Sequence, residues 1–575
     1  MMARVLLVCI VLFDISFSLI AQSDDLSTDL LSPVNRQMYL SGTFGELRRN
    51  HFHAGIDVKS QYGRSGDSLF SIADGYVSRI MIHPSGYGNA LMIDHPELDL
   101  TSVYAHMQRF DRDIQSLIQQ LQLQEQSYII DFHLSPDVFP VYKGQAIGQM
   151  GNTGYSLGPH LHFEIKRTST NWVLNPLLFG YTYTDSVPPE MHYIRMYGLD
   201  HERREVWTNK YNIKRYKGSH QLYRDTIEVP ADRAAVSLHT IDKSDGLHHR
   251  NGIYRLEMYV DDYLVYSYQM DSFPREHTRA LNAHLDYKHL RKYGQWVHRL
   301  HRLPGNPMPL YPFIKNDGLI LLTDDIAQKV RILAYDFNHN ESSLEFYVKR
   351  SDDTARYTYP KGDFYTLKYD EDNHIKDDSA SISILFHRGS LYSNTDFSYQ
   401  VNDSHKHGDW FSLVMLNDHY LPIHQPIELT FEDLSMEEEL RGNAFIAEVT
   451  KDRIKAHVGE WKGNDYVGKV PALADYCIMI DTIPPAIKAT RFGRHANGYR
   501  DYRFKIGDNI SSGIGHQSLL IEAYANGLWV NATYNPVSEL LVIQTKDLPP
   551  GQNTLTIKAT DHFSNITLWE GDYSK

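Results

Sequence analysis

His160 and His162 flank Leu161 in the stretch Gly-Pro-His-Leu-His-Phe-Glu, residues 158–164. In a β-strand, residues i and i+2 project from one face, so both imidazoles can reach one point while Leu161 and Phe163 face the core side. Glu164 follows the histidine face, where it could support whatever the histidines bind. Two further clusters of metal-type side chains lie upstream, His53-Ala-Gly-Ile-Asp57 and Tyr104-Ala-His106. A catalytic zinc site keeps one position for water and takes three protein donors of N, O or S type. His53, Asp57 and one of the paired histidines would supply two nitrogens and a carboxylate. Histidines left uncoordinated could then polarise a water or a scissile carbonyl. The only cysteines are Cys9 and Cys477, and no His-Glu-x-x-His helix occurs, so the common arrangement with a Glu base is absent. Among 30 histidines, any one such cluster is a weak signal. The three carry weight because they fall in one stretch of regular elements.

That stretch runs from Leu40 to Gly180. Gly75–Ile82, Ala90–Asp94 and Thr101–Ala105 have strand length and composition. Residues 84–89, Pro-Ser-Gly-Tyr-Gly-Asn, join the first two as a hairpin loop. The spacing of Ile114, Leu117, Ile118, Leu121 and Leu123 predicts a helix over Asp113–Gln126. Further on, Asp185-Ser-Val-Pro-Pro189 is echoed by Asp481-Thr-Ile-Pro-Pro485. Each is followed by an Arg-containing stretch ending in Gly (Arg195–Gly198; Arg491–Gly493). The exits match as well: Ile332-Leu-Ala-Tyr-Asp336 with Asn340, and Ile557-Lys-Ala-Thr-Asp561 with Asn565. Pro-Pro favours an extended lead-in that stays out of a central ladder. Alternating strands between such ends suggest immunoglobulin-like sandwiches at 185–350, with insertions, and 481–575. Residues 351–480 read as a further β-rich domain. The expected class is mainly β.

A chain of 575 residues is too long for one core. Its net charge of −14 excludes the electrostatic footprint of a nucleic-acid binder. Arg4 ahead of the apolar run Val5–Phe13, with small residues toward Ala21, reads as a secretory signal over residues 1–21, cleaved near Ala21-Gln22. Asp14 keeps that run well short of the ~20 apolar residues that span a bilayer, and no later segment is apolar enough. Val8 before Cys9 argues against a lipoprotein site. Once Cys9 leaves with the signal, Cys477 is alone and no internal disulfide remains. The expected setting is a bacterial periplasm or cell exterior.

Taken in order, His53-Ala-Gly-Ile-Asp57, Ala73-Asp-Gly-Tyr-Val77, Gly86-Tyr-Gly-Asn89, Tyr104-Ala-His106, Lys143-Gly-Gln145, Gly151-Asn-Thr-Gly154 and Gly158–Glu164 resemble the lysostaphin/LytM family of zinc endopeptidases. The likeness covers about residues 41–170 and marks 41–180 as the metallopeptidase domain. It implies an antiparallel-sheet fold. It also implies zinc held by His53, Asp57 and His162, with His106 and His160 as catalytic histidines. The implied substrate is peptidoglycan, cut in its stem peptides or cross-links. Degenerate members of the family only activate other wall hydrolases; here all five residues are retained, so an active enzyme is expected over a silent envelope scaffold. The C-terminal β-domains are candidates for contact with envelope proteins. Two departures qualify the likeness. The connection from Met107 to Tyr142 is longer than usual, and His51 stands near His53 as a rival ligand. The His-x₃-Asp spacing and the Gly55 turn favour His53.

Three other patterns are set aside. Gly154-Tyr-Ser-Leu-Gly158 has the spacing of a serine nucleophile elbow, but Pro159 and a strand follow instead of a helix, making Ser156 a turn residue. Gly463-x₄-Gly468-Lys469 lacks the Ser or Thr of a phosphate-binding loop and reads as a hairpin. Asp370-Glu-Asp-Asn-His-Ile lacks the glycine of a calcium loop and reads as an acidic turn.

Overall fold

The three strands expected upstream of His106 form at Gly75–Ile82, Asn89–His95 and Leu100–Ala105, each antiparallel to the next. The computed structural model describes residues 30–575 apart from 217, 246–249, 324–325, 352, 354, 360–361, 403–412, 417–418, 451–452, 491–492, 495–499, 513–518, 546–547 and 575. The expected signal segment with Cys9, and Arg491 and Phe492 of the second repeat, lie outside the described residues.

The main sheet runs in the order Leu40–Gly42, Ile56–Lys59, His160–Arg167, Leu100–Ala105, Asn89–His95, Gly75–Ile82, Ile130–His133. His160–Arg167 sits inside it, between the strand carrying Asp57 and the strand leading to His106. Its apolar side chains Leu161, Phe163 and Ile165 are fully buried, with Ile56, Val58 and Tyr104 of the flanking strands. A second sheet of Ser68–Phe70, Ala146–Met150 and Met107–Phe110 continues the chain beyond His106.

The expected helix forms at Arg112–Glu125, capped by the Asp111 side chain. Ile114 and Ile118 are buried, but Leu123 is exposed, because it falls off the stripe those residues define. Gln122 is buried in its place. Its amide donates to Tyr128 O at 2.8 Å, and its Oε1 accepts from Asn531 Nδ2 at 3.0 Å. The insertion between Met107 and Tyr142 therefore meets the last β-unit of the chain.

The boundary expected between 180 and 185 does not divide the core. One hydrophobic cluster runs from Val34 through Phe163 and Phe273 to Phe346. Hydrogen bonding crosses the boundary too, because Trp172–Leu174 pairs with Ile165 and Lys166 on one side and with Ser272–Pro274 on the other. Beyond Asp185, strands pack in layered, mainly antiparallel sheets, with five- and six-stranded sheets over most of 365–480 and five- and four-stranded sheets in 486–574. The two repeats fold alike at their ends. Asn340 Nδ2 donates to Asp185 O (3.1 Å) and Asp336 Oδ2 (2.6 Å), and Asn565 Nδ2 donates to Asp481 O (3.2 Å) and Asp561 Oδ2 (2.8 Å). Gly463 and Asn464 form a two-residue hairpin turn, as its composition suggested. No helix among the described residues is long and apolar enough to cross a membrane.

Buried histidines of the second unit set an acid response. His284 Nε2 and His298 Nδ1 lie 2.9 Å apart, and Tyr268 stacks on His284. Burial pushes His298 and His301 each down to about 3 and His284 well below its ordinary value. The unfolded chain therefore takes up protons first as pH falls below about 6.5. The urea midpoint is expected to drop between about pH 7 and about pH 5, each such histidine contributing up to ~1.4 kcal/mol per pH unit. His162, whose folded value is raised to about 9, acts in the opposite sense but chiefly above 6.5. Asp242 and Glu46, raised to about 8 and about 7, oppose this drop, so the check is a histidine variant: His298→Asn should flatten the dependence, and an unchanged slope would show that His298 is not held neutral.

Candidate metal centre

His162 faces Asp57 directly across one ladder and Ala105 across the other, so strand register alone brings three motifs together. His53 precedes the first residue of the Asp57 strand by three positions and is almost wholly buried. His106 follows Ala105 with φ of +60°, a left-handed conformation that costs a non-glycine residue of order 1–3 kcal/mol. Two bonds hold it there: its amide donates to Tyr87 O at 2.9 Å, and Nδ1 lies 2.8 Å from Thr153 O. The Thr153 carbonyl can sit so close because Gly88 and Gly154, both at positive φ, touch backbone to backbone. A Cβ on Gly154 would lie 2.3 Å from Gly88 N.

His53, Asp57 and His162 form a group whose donor atoms all lie within 4.8 Å of one another. His53 Nε2 is 2.9 Å from His162 Nδ1 and 3.1 Å from Asp57 Oδ1, and His162 Nδ1 is 2.9 Å from the same oxygen. Ligands about 2.0–2.1 Å from a tetrahedral zinc stand about 3.3 Å apart, so this triangle needs to open by only a few tenths of an ångström. The outer atoms are already engaged. His53 Nδ1 donates to Thr43 O (2.8 Å), His162 Nε2 donates to Glu164 Oε1 (2.9 Å), and Asp57 Oδ2 accepts from Arg48 (2.5 Å). Each side chain thus has one donor atom facing the centre and the other held. His160 and His106 stand beside this group, ring centroids 4.7 Å apart, with His160 Nε2 3.6 Å from Asp57 Oδ1. His160 Nδ1 lies 2.8 Å from Gly158 O, which leaves Nε2 facing the centre.

Charge is arranged around this geometry. Against the downward push of burial, hydrogen bonds to Asp57 and Glu164 raise His162 to about 9. Burial lowers His53 to about 4, while burial and the neighbouring His162 and His160 lower His106 to about 3. Asp57, despite burial, is held well below the carboxylate range by His53 and His162. Burial lifts Glu46, next to Arg48, to about 7.

Residues 138–176 match the model described as Peptidase family M23. The stretch that carries His160 and His162 is thus similar to that family. Residues 364–481 match a Zu5-like domain, which describes most of the stretch read from sequence as a further β-rich domain. An "Uncharacterized metalloprotease" of Haemophilus influenzae is 29% identical over 138 residues, 23% of each chain. A "DD-carboxypeptidase/endopeptidase Mpg" of Neisseria gonorrhoeae is 32% identical over 114 residues, 20% of each chain. The chain thus spans less than a quarter of the length of these curated relatives. Among solved structures, the lysostaphin catalytic domain of Staphylococcus simulans is 21% identical over 25% of this chain and 91% of that one, with a TM-score of 0.18. A zinc-containing peptidase of Vibrio cholerae is 26% identical over 23% and 35%, with a TM-score of 0.17.

Within the amino-terminal domain, the five residues singled out from sequence converge, and His51 is left exposed outside the group. Ser156 sits on a turn, its Oγ 3.1 Å from His160 Nδ1 and 2.6 Å from Asn152 Oδ1. With the Nδ1 proton directed at Gly158 O, that nitrogen is not free to activate the serine. Sequence reasoning missed the outer partners. Tyr87 OH donates to Glu164 Oε1 (2.5 Å), and Arg275 Nη1 donates to Glu164 Oε2 (2.8 Å) while Nη2 bonds Tyr87 OH. Gly252 N donates to Thr43 Oγ1 at 2.8 Å, bracing the residue that orients His53. Arg275 and Gly252 both belong to the unit beyond Asp185. Tyr87 was legible in the Gly-Tyr-Gly stretch, whereas no spacing signals Arg275.

Proposed function

We propose that the chain is an exported zinc-dependent endopeptidase that hydrolyses peptide bonds in peptidoglycan stems or cross-links. The observation that carries this reading is the contracted His53–Asp57–His162 triangle, with its outward atoms engaged and two further imidazoles alongside. His53 Nε2, Asp57 Oδ1 and His162 Nδ1 would hold the metal, an N₂O donor set suited to zinc. When bound, zinc supplies Lewis acidity toward a water and a carbonyl oxygen. His106 and His160 handle protons. With its Nδ1 proton on Thr153 O and burial keeping it neutral, His106 presents Nε2 as an acceptor. His160, less buried, presents Nε2 to the same space, where it can take a proton or, once charged, steady a developing oxyanion. The relatives' names point the same way, one being a metalloprotease and the other a DD-carboxypeptidase/endopeptidase.

Purified sacculi incubated with the protein should release muropeptides carrying newly cut peptide bonds. A zinc chelator should abolish that release, and restored zinc should return it. Intact sacculi from a folded, zinc-loaded chain would defeat the reading in favour of a non-catalytic envelope role. Cutting that persists in chelator would defeat the metal assignment.

A further inference from the structure

Each repeat gathers three carboxylates at one point, all buried except the half-buried Asp508, and they occupy equivalent places. Asp185 and Asp481 begin the Asp-x-x-Pro-Pro lead-ins. Asp242 and Asp508 each follow the last residue of a strand, Arg233–Ile241 and Arg500–Gly507. Asp336 and Asp561 each follow another, Gln328–Tyr335 and Gln552–Thr560. In both trios, one oxygen from each residue lies within 4.8 Å of the others.

Hydrogen bonds from Asn340 and Asn565 satisfy Asp336 and Asp561, but oxygens of the other four residues have no partner among the described residues. Asp242 is 1% exposed, yet neither of its carboxylate oxygens has a hydrogen-bond partner among the described residues. Its bridged neighbour Asn251 directs its amide to Ser244 Oγ instead. Asp481 is likewise 1% exposed with Oδ2 unpartnered, as are Asp185 Oδ2 and both oxygens of Asp508. Burying an ionised carboxylate without a partner or counter-charge is strongly unfavourable. Burial and the Asp336 and Asp185 carboxylates push Asp242 up to about 8, and burial with Asp481 pushes Asp508 up to about 6. Among the described residues, no histidine or cysteine enters either group.

We propose that each trio is a calcium site, one per repeat, clamping the lead-in segment to the end of its β-unit. The donors are all oxygen, which selects a hard cation over zinc. Calcium accepts 6–8 oxygens at about 2.3–2.6 Å in irregular geometry, so ligands on opposite sides of it stand about 4.8 Å apart. Magnesium demands a near-ideal octahedron and keeps most of its water, which a nearly dry pocket suits poorly. Asn340 and Asn565 tie the lead-in carbonyl to the third carboxylate of each trio, so the cation would complete an existing joint.

The test is calorimetric titration of the full, zinc-loaded chain, freed of calcium, with calcium chloride to several millimolar, alongside thermal unfolding with and without calcium. Two calcium ions should bind per chain, with a rise of several degrees in melting temperature. Asp242→Asn and Asp508→Asn should each lose one site, and the double variant both sites and the thermal shift. These isosteric changes replace carboxyl groups that lack hydrogen-bond partners, so the calcium-free variants should fold at least as well as the parent. Absence of calcium binding by the parent overturns the proposal, as does undiminished binding by the double variant. Binding of magnesium but not calcium overturns the choice of cation.

Discussion

Replacing His162 by alanine is expected to abolish stoichiometric zinc binding and reduce hydrolysis of sacculi to background. Replacing His160 should leave zinc bound and slow the reaction by about 10²–10⁴-fold, the range for loss of a positioned proton-transfer group. The difference follows from the directions of the ring nitrogens. His162 Nδ1 lies 2.9 Å from both His53 Nε2 and Asp57 Oδ1, inside the donor triangle, whereas His160 Nε2 lies 3.6 Å from Asp57 outside it. Zinc content by atomic spectroscopy and initial rates on sacculi separate the two effects. Equal loss of metal from both variants would show that the division between ligand and free imidazole is wrong. The same geometry gives a pH signature. Without metal, His162 carries a proton up to about pH 9 between Asp57 and Glu164, and zinc must displace it from Nδ1. The apparent zinc affinity of the unsubstituted chain should therefore rise with pH until that value is passed.

Arg275→Ala should weaken zinc binding about 10–100-fold, although Arg275 belongs to a different unit of the chain. Glu164 is buried, and its carboxylate is held far below the usual range, against the push of burial, first by Arg275 and then by His162. Without the guanidinium, the carboxylate keeps His162 and Tyr87 as neighbours but loses its strongest counter-charge. It then holds the His162 tautomer and ring orientation less firmly. The stability cost should be about 1–3 kcal/mol, below that of breaking a wholly buried pair, because the Arg275 side chain is 36% exposed. Arg275→Lys keeps the charge but not the fork that reaches both Glu164 and Tyr87, and should recover the affinity only in part. Measured on folded protein well below the unfolding midpoint, an affinity unchanged in Arg275→Ala would show that the contact is structural only.

The position of Arg275 explains why the second unit cannot be a passive appendage. Ser272–Pro274 is hydrogen-bonded to Trp172–Leu174, which in turn pairs with the strand that carries His162. The residue after Pro274 is thereby placed by the extended sheet. Gly252 does the same for Thr43 on the other side of the centre. Both histidines of the donor triangle thus depend on bonds completed from beyond Asp185.

The sequence by itself brought the candidate donors into view, while the choice of His162 over His160 as ligand rested on the family resemblance. The period of two in a strand puts His160 and His162 on one face, and the His-x₃-Asp spacing keeps His53 close ahead of the strand that carries Asp57. The two Asp-x-x-Pro-Pro repeats, with their Asp and Asn exits, were equally legible because local spacing encodes them. Tertiary structure alone decided which nitrogen of each imidazole faces the centre, since that depends on Thr43 O, Glu164, Thr153 O and Gly158 O as fixed acceptors. It also decided that Arg275 reaches Glu164, 111 residues away, and that Asp242 and Asp508 complete their acidic trios. Contacts of this kind arise from strand pairing and burial between distant segments, which leave no periodicity or spacing along the chain. The helix over Arg112–Glu125 illustrates both sides: its apolar stripe was readable in advance, but the burial of Gln122 against Asn531 required the last unit to pack there.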